Sequence, residues 1–179
     1  MCRWQANTCV SMLRPVSVSK RNPESLARRL LRRIVSADID FFVVGGVAAR
    51  AHGLDHPVND LDIVYARSYE NCKRLAQTLA PLNPHPRGGD SNDVVWNTSV
   101  IRSGYSFIMA TDLGDIDLIA ELTGGGTWRH LRNKTITLKP LGITCDVLKI
   151  QPLAHHLIKS GRPKDVRLAK NLQKILNKA

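Results

Sequence analysis

The sequence predicts an α/β (α+β) fold: a single domain over residues 22–179, preceded by a basic, disordered arm at 1–21. Three observations carry this. The stretch Phe41–Val64 reads as strand, helix, strand. Two later pairs of apolar, β-branched runs read as hairpins, and amphipathic helical stretches stand at both ends. A chain of 179 residues is long enough for one domain with a real core.

Met1–Arg21 has no periodicity and no acids, and its longest apolar stretch is too short for a secretory signal. Asn22-Pro23-Glu24 starts a helix with a cap residue, a proline in the first turn and an acid at the positive dipole end. Leu26, Leu30, Leu31 and Ile34 form its apolar stripe, and Arg28, Arg29, Arg32 and Arg33 lie off it. Phe41–Val44 suits a buried strand, ended by Gly45-Gly46. Val47–His52 reads as a short helix stopped by Gly53. After a loop with Pro57 and Asn59, the strand Asp60–Val64 points Asp60 and Asp62 to one side and Leu61 and Ile63 to a core. Adjacent carboxylates repel, so the pair calls for a cation or a proton between them.

Ser68 caps a helix over Tyr69–Leu79, which Pro81 stops, and Leu82–Asn92 reads as a mobile loop. Tyr105–Thr111 and Asp115–Leu122 form a hairpin around Asp112-Leu113-Gly114, bringing Asp117 to the site, with Asp115 as a strand-start residue. Gly124-Gly125-Gly126 lacks the Gly-Lys-Ser/Thr ending of a phosphate loop and reads as a linker before a short helix, Trp128–Arg132. Thr135–Leu138 and Ile143–Leu148 form a second hairpin, Pro152–Lys159 a helix, and Val166, Leu168, Ala169, Leu172 and Ile175 the stripe of a last one.

Composition narrows the function. Hydrophobic content is 43%, and no apolar run approaches the ~20 residues of a membrane span. The four cysteines form no CxxC pair, which argues against zinc and a disulfide framework and for a reducing, cytoplasmic setting. The net charge of +11 is concentrated at the ends, while the middle carries more acids than bases. This layout fits a polyanion such as RNA, with the ends flanking the acidic site, or a basic surface that serves only solubility. His52 reads as a packed or helix-end residue. His155-His156 cannot face one point on a helix, so a metal role is rejected. Trp96, Tyr105 and Trp128 are assigned to core packing in preference to base stacking.

The motifs GGVAARAHG, NDLDIV, GDIDLIAELTG and IKSGRPKD, in that order from Ile39 to Leu176, resemble the nucleotidyltransferase superfamily, which includes DNA polymerase beta and the CCA-adding enzymes. The closing GRPKD is most similar to the AbiEii-like toxin nucleotidyltransferases of bacterial toxin–antitoxin systems. The resemblance implies a mixed sheet flanked by helices and Mg²⁺-dependent transfer of an NMP from an NTP to an acceptor hydroxyl. The acceptor would be RNA, tRNA included, or protein, and an antitoxin is an implied partner. It implies that Asp60 and Asp62 bridge two Mg²⁺ ions, with Asp117 a ligand that also helps deprotonate the acceptor, and that Gly45 and Gly46 cradle phosphates. Arg162 and Lys164 become candidates for triphosphate or acceptor contacts, the alternative for Lys164 being a packed stem with a solvated head group. Where relatives often carry Arg and Thr, this chain has His56 and Val58. Other classes also fit: a catalytically inactive nucleic-acid-binding or toxin–antitoxin partner on the same fold, and a transferase acting on a small molecule.

Overall fold

The structure is a computed structural model that describes residues 22–89 and 95–177; the arm at 1–21 lies outside the described residues. A seven-stranded mixed sheet runs in the order β3-β4-β5-β2-β1-β7-β6. Its strands are β1 (Phe41–Val43), β2 (Asp60–Tyr65), β3 (His85–Pro86), β4 (Phe107–Thr111), β5 (Gly114–Ile119), β6 (Thr135–Leu138) and β7 (Cys145–Leu148). β2 pairs in parallel with β5 and β1 in parallel with β7, and the remaining pairs are antiparallel. The helices are α1 (Pro23–Ser36), α2 (Gly45–Ala51), α3 (Tyr69–Leu79), α4 (Thr98–Arg102), α5 (Trp128–Leu131), α6 (Ile150–Lys159) and α7 (Pro163–Leu176). This is the expected mixed sheet flanked by helices.

The two faces of the sheet follow from residue alternation. Leu61 and Ile63 on β2 lie opposite Ile116 and Leu118 on β5, and all four are fully buried. Gly114 shares the parity of Ile116 and Leu118, and a Cβ built on it would meet Leu26 of α1 at 3.0 Å. Helix α1 therefore covers this back face, inserting Ala27, Leu30, Leu31 and Ile34. Burial of each large side chain contributes ~1.5–3 kcal/mol. Asn22 caps α1 by accepting from the Glu24 N–H at 3.1 Å, with Pro23 in the first turn. The exposed Glu24–Arg50 pair at 2.8 Å adds at most ~1 kcal/mol.

Several boundaries depart from the sequence reading. Helix α2 begins at Gly45, not Val47. The Val44 N–H closes on Asp62 O at 3.0 Å while Val44 O accepts from the Ala48 N–H at 3.3 Å, so the chain leaves the strand and enters the helix without a connector. Leu82–Asn92 is not simply a mobile loop. The Asp112 N–H bonds Leu82 O at 2.9 Å, His85–Pro86 pairs with β4, and the Arg87 N–H bonds Ile108 O at 3.0 Å. The open edge of β4 recruits this segment, and a proline is tolerated at a sheet edge where its missing N–H is not needed. Residues 90–92 of that loop lie outside the described residues. Gly124–Gly126 is a hydrogen-bonded turn, with Leu122 N–H on Gly126 O at 3.1 Å and Gly125 N–H on Leu122 O at 3.0 Å. Helix α6 starts at Ile150, Pro152 sitting in its first turn where no N–H is required. Helix α4, absent from the sequence reading, is capped by Asn97 and tied to β2 by the Tyr65 hydroxyl, which donates to Ile101 O at 2.7 Å. Among the described residues no helix is long and apolar enough to cross a membrane.

Asn71 on α3 is fully buried and splices three segments. It accepts from the Asp40 N–H at 2.8 Å and donates to Asp40 O at 3.0 Å and Ala66 O at 2.8 Å. Asn71→Ala leaves these backbone groups unpaired in the interior. Thermal or urea denaturation should show a loss of about 2–4 kcal/mol; a loss under ~0.5 kcal/mol would mean water replaces the amide at no cost.

Candidate active site

The parallel register of β2 and β5 sets Asp60 beside Asp115 and Asp62 beside Asp117. Alternation turns all four carboxylates to the face opposite α1. Oxygens of Asp60, Asp62 and Asp117 lie within 4.8 Å of one another. Asp115 sits at the strand start, as expected, and outside that trio. The cluster forms one wall of a cleft of about 650 Å³, a ligand-sized volume. Gly45, Gly46 and His56 line the cleft beside the acids, Ile108 extends the strand wall, and Ser160, Arg162 and Lys164 face it from the α6–α7 junction.

Carboxylates gathered this way are electrostatically costly. The Asp62 carboxyl is pushed up to about 7, first by burial and then by the charges of Asp60 and Asp117. Burial also raises Asp117, against the pull of Arg87. Arg87, in the stretch read as a mobile loop, partly offsets the repulsion: Nε lies 3.0 Å from Asp115, Nη2 2.7 Å from Asp117 and Nη1 3.5 Å from Asp60. The sequence carries no signal for this contact, because it depends on the edge pairing of β3. The donor set of three carboxylates, all oxygen, suits a hard divalent cation such as Mg²⁺.

The glycines are explained by close approach. Gly45 has φ +62, and a Cβ there would overlap the Asp62 carboxylate. A Cβ on Gly46 would meet the His56 ring at 3.1 Å. Val58 is buried in the core.

At the α6–α7 junction, Asp165 is only 5% exposed and accepts from Arg162 Nε at 2.6 Å and Ser160 Oγ at 2.7 Å. Asp165 thereby fixes Arg162 at the mouth of the cleft, a role that sequence reasoning missed. Lys164 lines the cleft and makes no ion pair among the described residues. His52 ends α2 with Nε2 2.8 Å from Leu148 O, as expected of a helix-end residue. His156 Nδ1 lies 3.1 Å from Thr123 O, and neither His155 nor His156 joins a metal-capable group among the described residues. Trp96 and Trp128 pack against the core, Trp96 donating to Ala76 O at 3.0 Å and Trp128 lying under Arg132 at 5.3 Å. Tyr105 is 73% exposed, which overturns its assignment to the core. Of the bases at the two ends, Arg162 and Lys164 line the cleft and Arg28, Arg29 and Arg32 project from a helix on the back of the sheet, while Arg3, Arg14, Lys20 and Arg21 lie outside the described residues.

No protein-family model matches the chain, and no curated protein matches it. Among solved structures, it resembles the crystal structure of a "putative nucleotidyltransferase" from Thermotoga maritima, with a TM-score of 0.51 and 16% identity over 84% of this chain and 92% of that one. At that identity the likeness establishes the shared fold.

Two outcomes follow from this geometry. Gly45→Ala forces a left-handed backbone on a residue with a Cβ and drives that atom into Asp62. A stability loss of at least ~1 kcal/mol is expected from the backbone alone, together with weaker divalent-cation binding measured by calorimetry. The second concerns pH. Because the folded-state value of Asp62 lies above its unfolded value of 3.8, the folded protein retains that proton longer. Its contribution to stability is complete below about pH 4 and is lost as pH rises through about 7. Urea denaturation in chelator at about pH 5 and about pH 8 should show Asp62→Asn gaining on the wild type at the higher pH, by at most ~3 kcal/mol. An unchanged difference between the two proteins would remove the repulsion account.

Proposed function

We propose that this chain is a divalent-cation-dependent nucleotidyltransferase that moves an NMP from an NTP to an acceptor hydroxyl. The observation that carries the reading is the convergence of Asp60, Asp62 and Asp117 beside the Gly45-Gly46 turn, in a fold shared with a structure bearing that activity in its description. Asp60, Asp62 and Asp117 are the residues that would hold Mg²⁺. Bound there, Mg²⁺ supplies positive charge to the phosphoryl group in transfer and to the departing pyrophosphate. Gly45 and Gly46 leave room for the triphosphate against the first turn of α2, whose N–H groups have no intrahelical partners. Arg162, oriented by Asp165, and Lys164 offer cations to the triphosphate or to the acceptor backbone. The Asp117 carboxylate takes the acceptor hydroxyl's proton; the acceptor oxygen bonds to the α-phosphorus as the α–β phosphoanhydride bond breaks and pyrophosphate leaves.

Within this reading the acceptor is an RNA, tRNA included, or a protein hydroxyl, and the setting is the cytoplasm. The chain acts as the toxin of a toxin–antitoxin pair, with the antitoxin as its partner. The GRPKD turn and the positive charge support these finer assignments. Incubation with each labelled NTP, Mg²⁺ and total RNA should place label in RNA or in protein. Asp62→Asn keeps the shape but removes a metal-binding charge, and should lower transfer by at least ~100-fold while the metal-free protein melts at an equal or higher temperature. Transfer by the variant at the wild-type rate would overturn the enzyme reading. Nucleic-acid binding that is indifferent to Asp62 and to Mg²⁺, with no transfer, would select the inactive binding protein instead.

A further inference from the structure

The acidic cluster already has a cation, Arg87, to which the roles proposed so far assign nothing. Its backbone is fixed on both sides: the Arg87 N–H donates to Ile108 O on β4 at 3.0 Å, and the Gly89 N–H closes the next turn on Pro86 O at 2.9 Å. Its guanidinium is divided between two kinds of carboxylate. Nε lies 3.0 Å from Asp115, which stands outside the metal-capable trio. Nη2 and Nη1 reach Asp117 at 2.7 Å and Asp60 at 3.5 Å, both members of that trio. The side chain lines the same cleft as Gly45, Arg162 and Lys164.

We infer that Arg87 is a polyphosphate-binding residue that exchanges partners: held through Nε by Asp115, it pairs with Asp60 and Asp117 in the metal-free protein. When a divalent cation takes those carboxylates, its two Nη groups turn to the phosphate oxygens of the cation-bound nucleoside triphosphate. The inference rests on the nucleotidyltransferase reading above. An arginine stays charged under all working conditions, so it competes with a divalent cation for the same carboxylate charge. A cation-bound triphosphate brings its own negative charge, and phosphate oxygens match the planar fork of a guanidinium as well as carboxylates do. The exchange keeps the guanidinium paired in both states, against part of the carboxylate charge in the first and part of the phosphate charge in the second. Asp115 is a positioning residue: it keeps the guanidinium at the cleft after Asp60 and Asp117 are taken, and its place outside the trio leaves it free to do so.

The two halves of the inference predict opposite signs for one substitution. Mn²⁺ affinity without nucleotide is measured by calorimetry. Affinity for α,β-methylene analogues of the four NTPs is then measured at saturating Mn²⁺. Arg87→Ala should bind Mn²⁺ roughly three- to tenfold more tightly, because the competing cation is gone. It should bind the analogue roughly ten- to hundredfold more weakly, because a charge-assisted phosphate contact is gone. The gain in Mn²⁺ affinity itself shows that the variant is folded. Arg87→Lys, which keeps the charge and loses the fork, should return Mn²⁺ affinity to the wild-type level and restore analogue binding only in part. Asp115→Asn should weaken the analogue severalfold without tightening Mn²⁺. Mn²⁺ binding that is unchanged or weaker in Arg87→Ala, or analogue binding that is unchanged, overturns the role of Arg87 alone. A wild-type protein that binds Mn²⁺ but none of the analogues overturns the nucleotidyltransferase reading and this inference with it.

Discussion

The parallel pairing of β2 with β5 is the constraint on which the site depends. In that register Asp60 meets Asp115 and Asp62 meets Asp117, so four carboxylates share one face within two residue steps. A one-residue slip of β5 against β2 would turn Asp115 and Asp117 into the core and expose Ile116 and Leu118. Leu61, Ile63, Ile116 and Leu118 lock the register from behind, and helix α1 seals them with Leu30, Leu31 and Ile34. The hydrophobic effect on one face of the sheet thereby holds an unfavourable charge arrangement on the other.

That unfavourable arrangement gives the cleft its chemistry. Asp62 is held protonated toward neutral pH by burial and by its acidic neighbours. The protein relieves part of the cost with Arg87 and leaves the rest for a ligand. Local inconsistency of this kind, in an otherwise consistent fold, is where functional sites are expected. The same economy appears at the opposite wall, where the buried Asp165 serves to orient Arg162 and Ser160. Gly45 completes the arrangement, since its missing side chain is what allows α2 to start against Asp62.

Among the described residues, two groups of positive charge face opposite sides of the sheet. Arg87, Arg162 and Lys164 surround the carboxylates and face whatever enters the cleft. The arginines of α1 project from the back of the sheet, on a helix whose apolar stripe is fully used against β2 and β5. An extended polyanion would have to wrap around the sheet edge to touch both. Counting charge along the sequence could not separate these surfaces, because the sheet that divides them is assembled from strands far apart in the chain.

The sequence by itself determined the elements whose signals are local. The caps at Asn22 and Ser68, the apolar stripes of α1, α3 and α7, the two hairpins, and the alternation that turns Asp60 and Asp62 away from Leu61 and Ile63 were all legible. So was the pairing of that motif with Asp117, through resemblance. Tertiary structure decided what depends on sequence-distant partners. The edge of β4 drew His85–Pro86 into the sheet and delivered Arg87 to the acids, although its segment, rich in proline and glycine, reads as a loop. Exposure of Tyr105 was decided by the ladder stopping at Phe107. Asp165 acquired its role because the α6–α7 turn folds back on Ser160 and Arg162. Periodicity and capping are properties of a few consecutive residues, whereas the electrostatics of this cleft exist only once the strands are side by side.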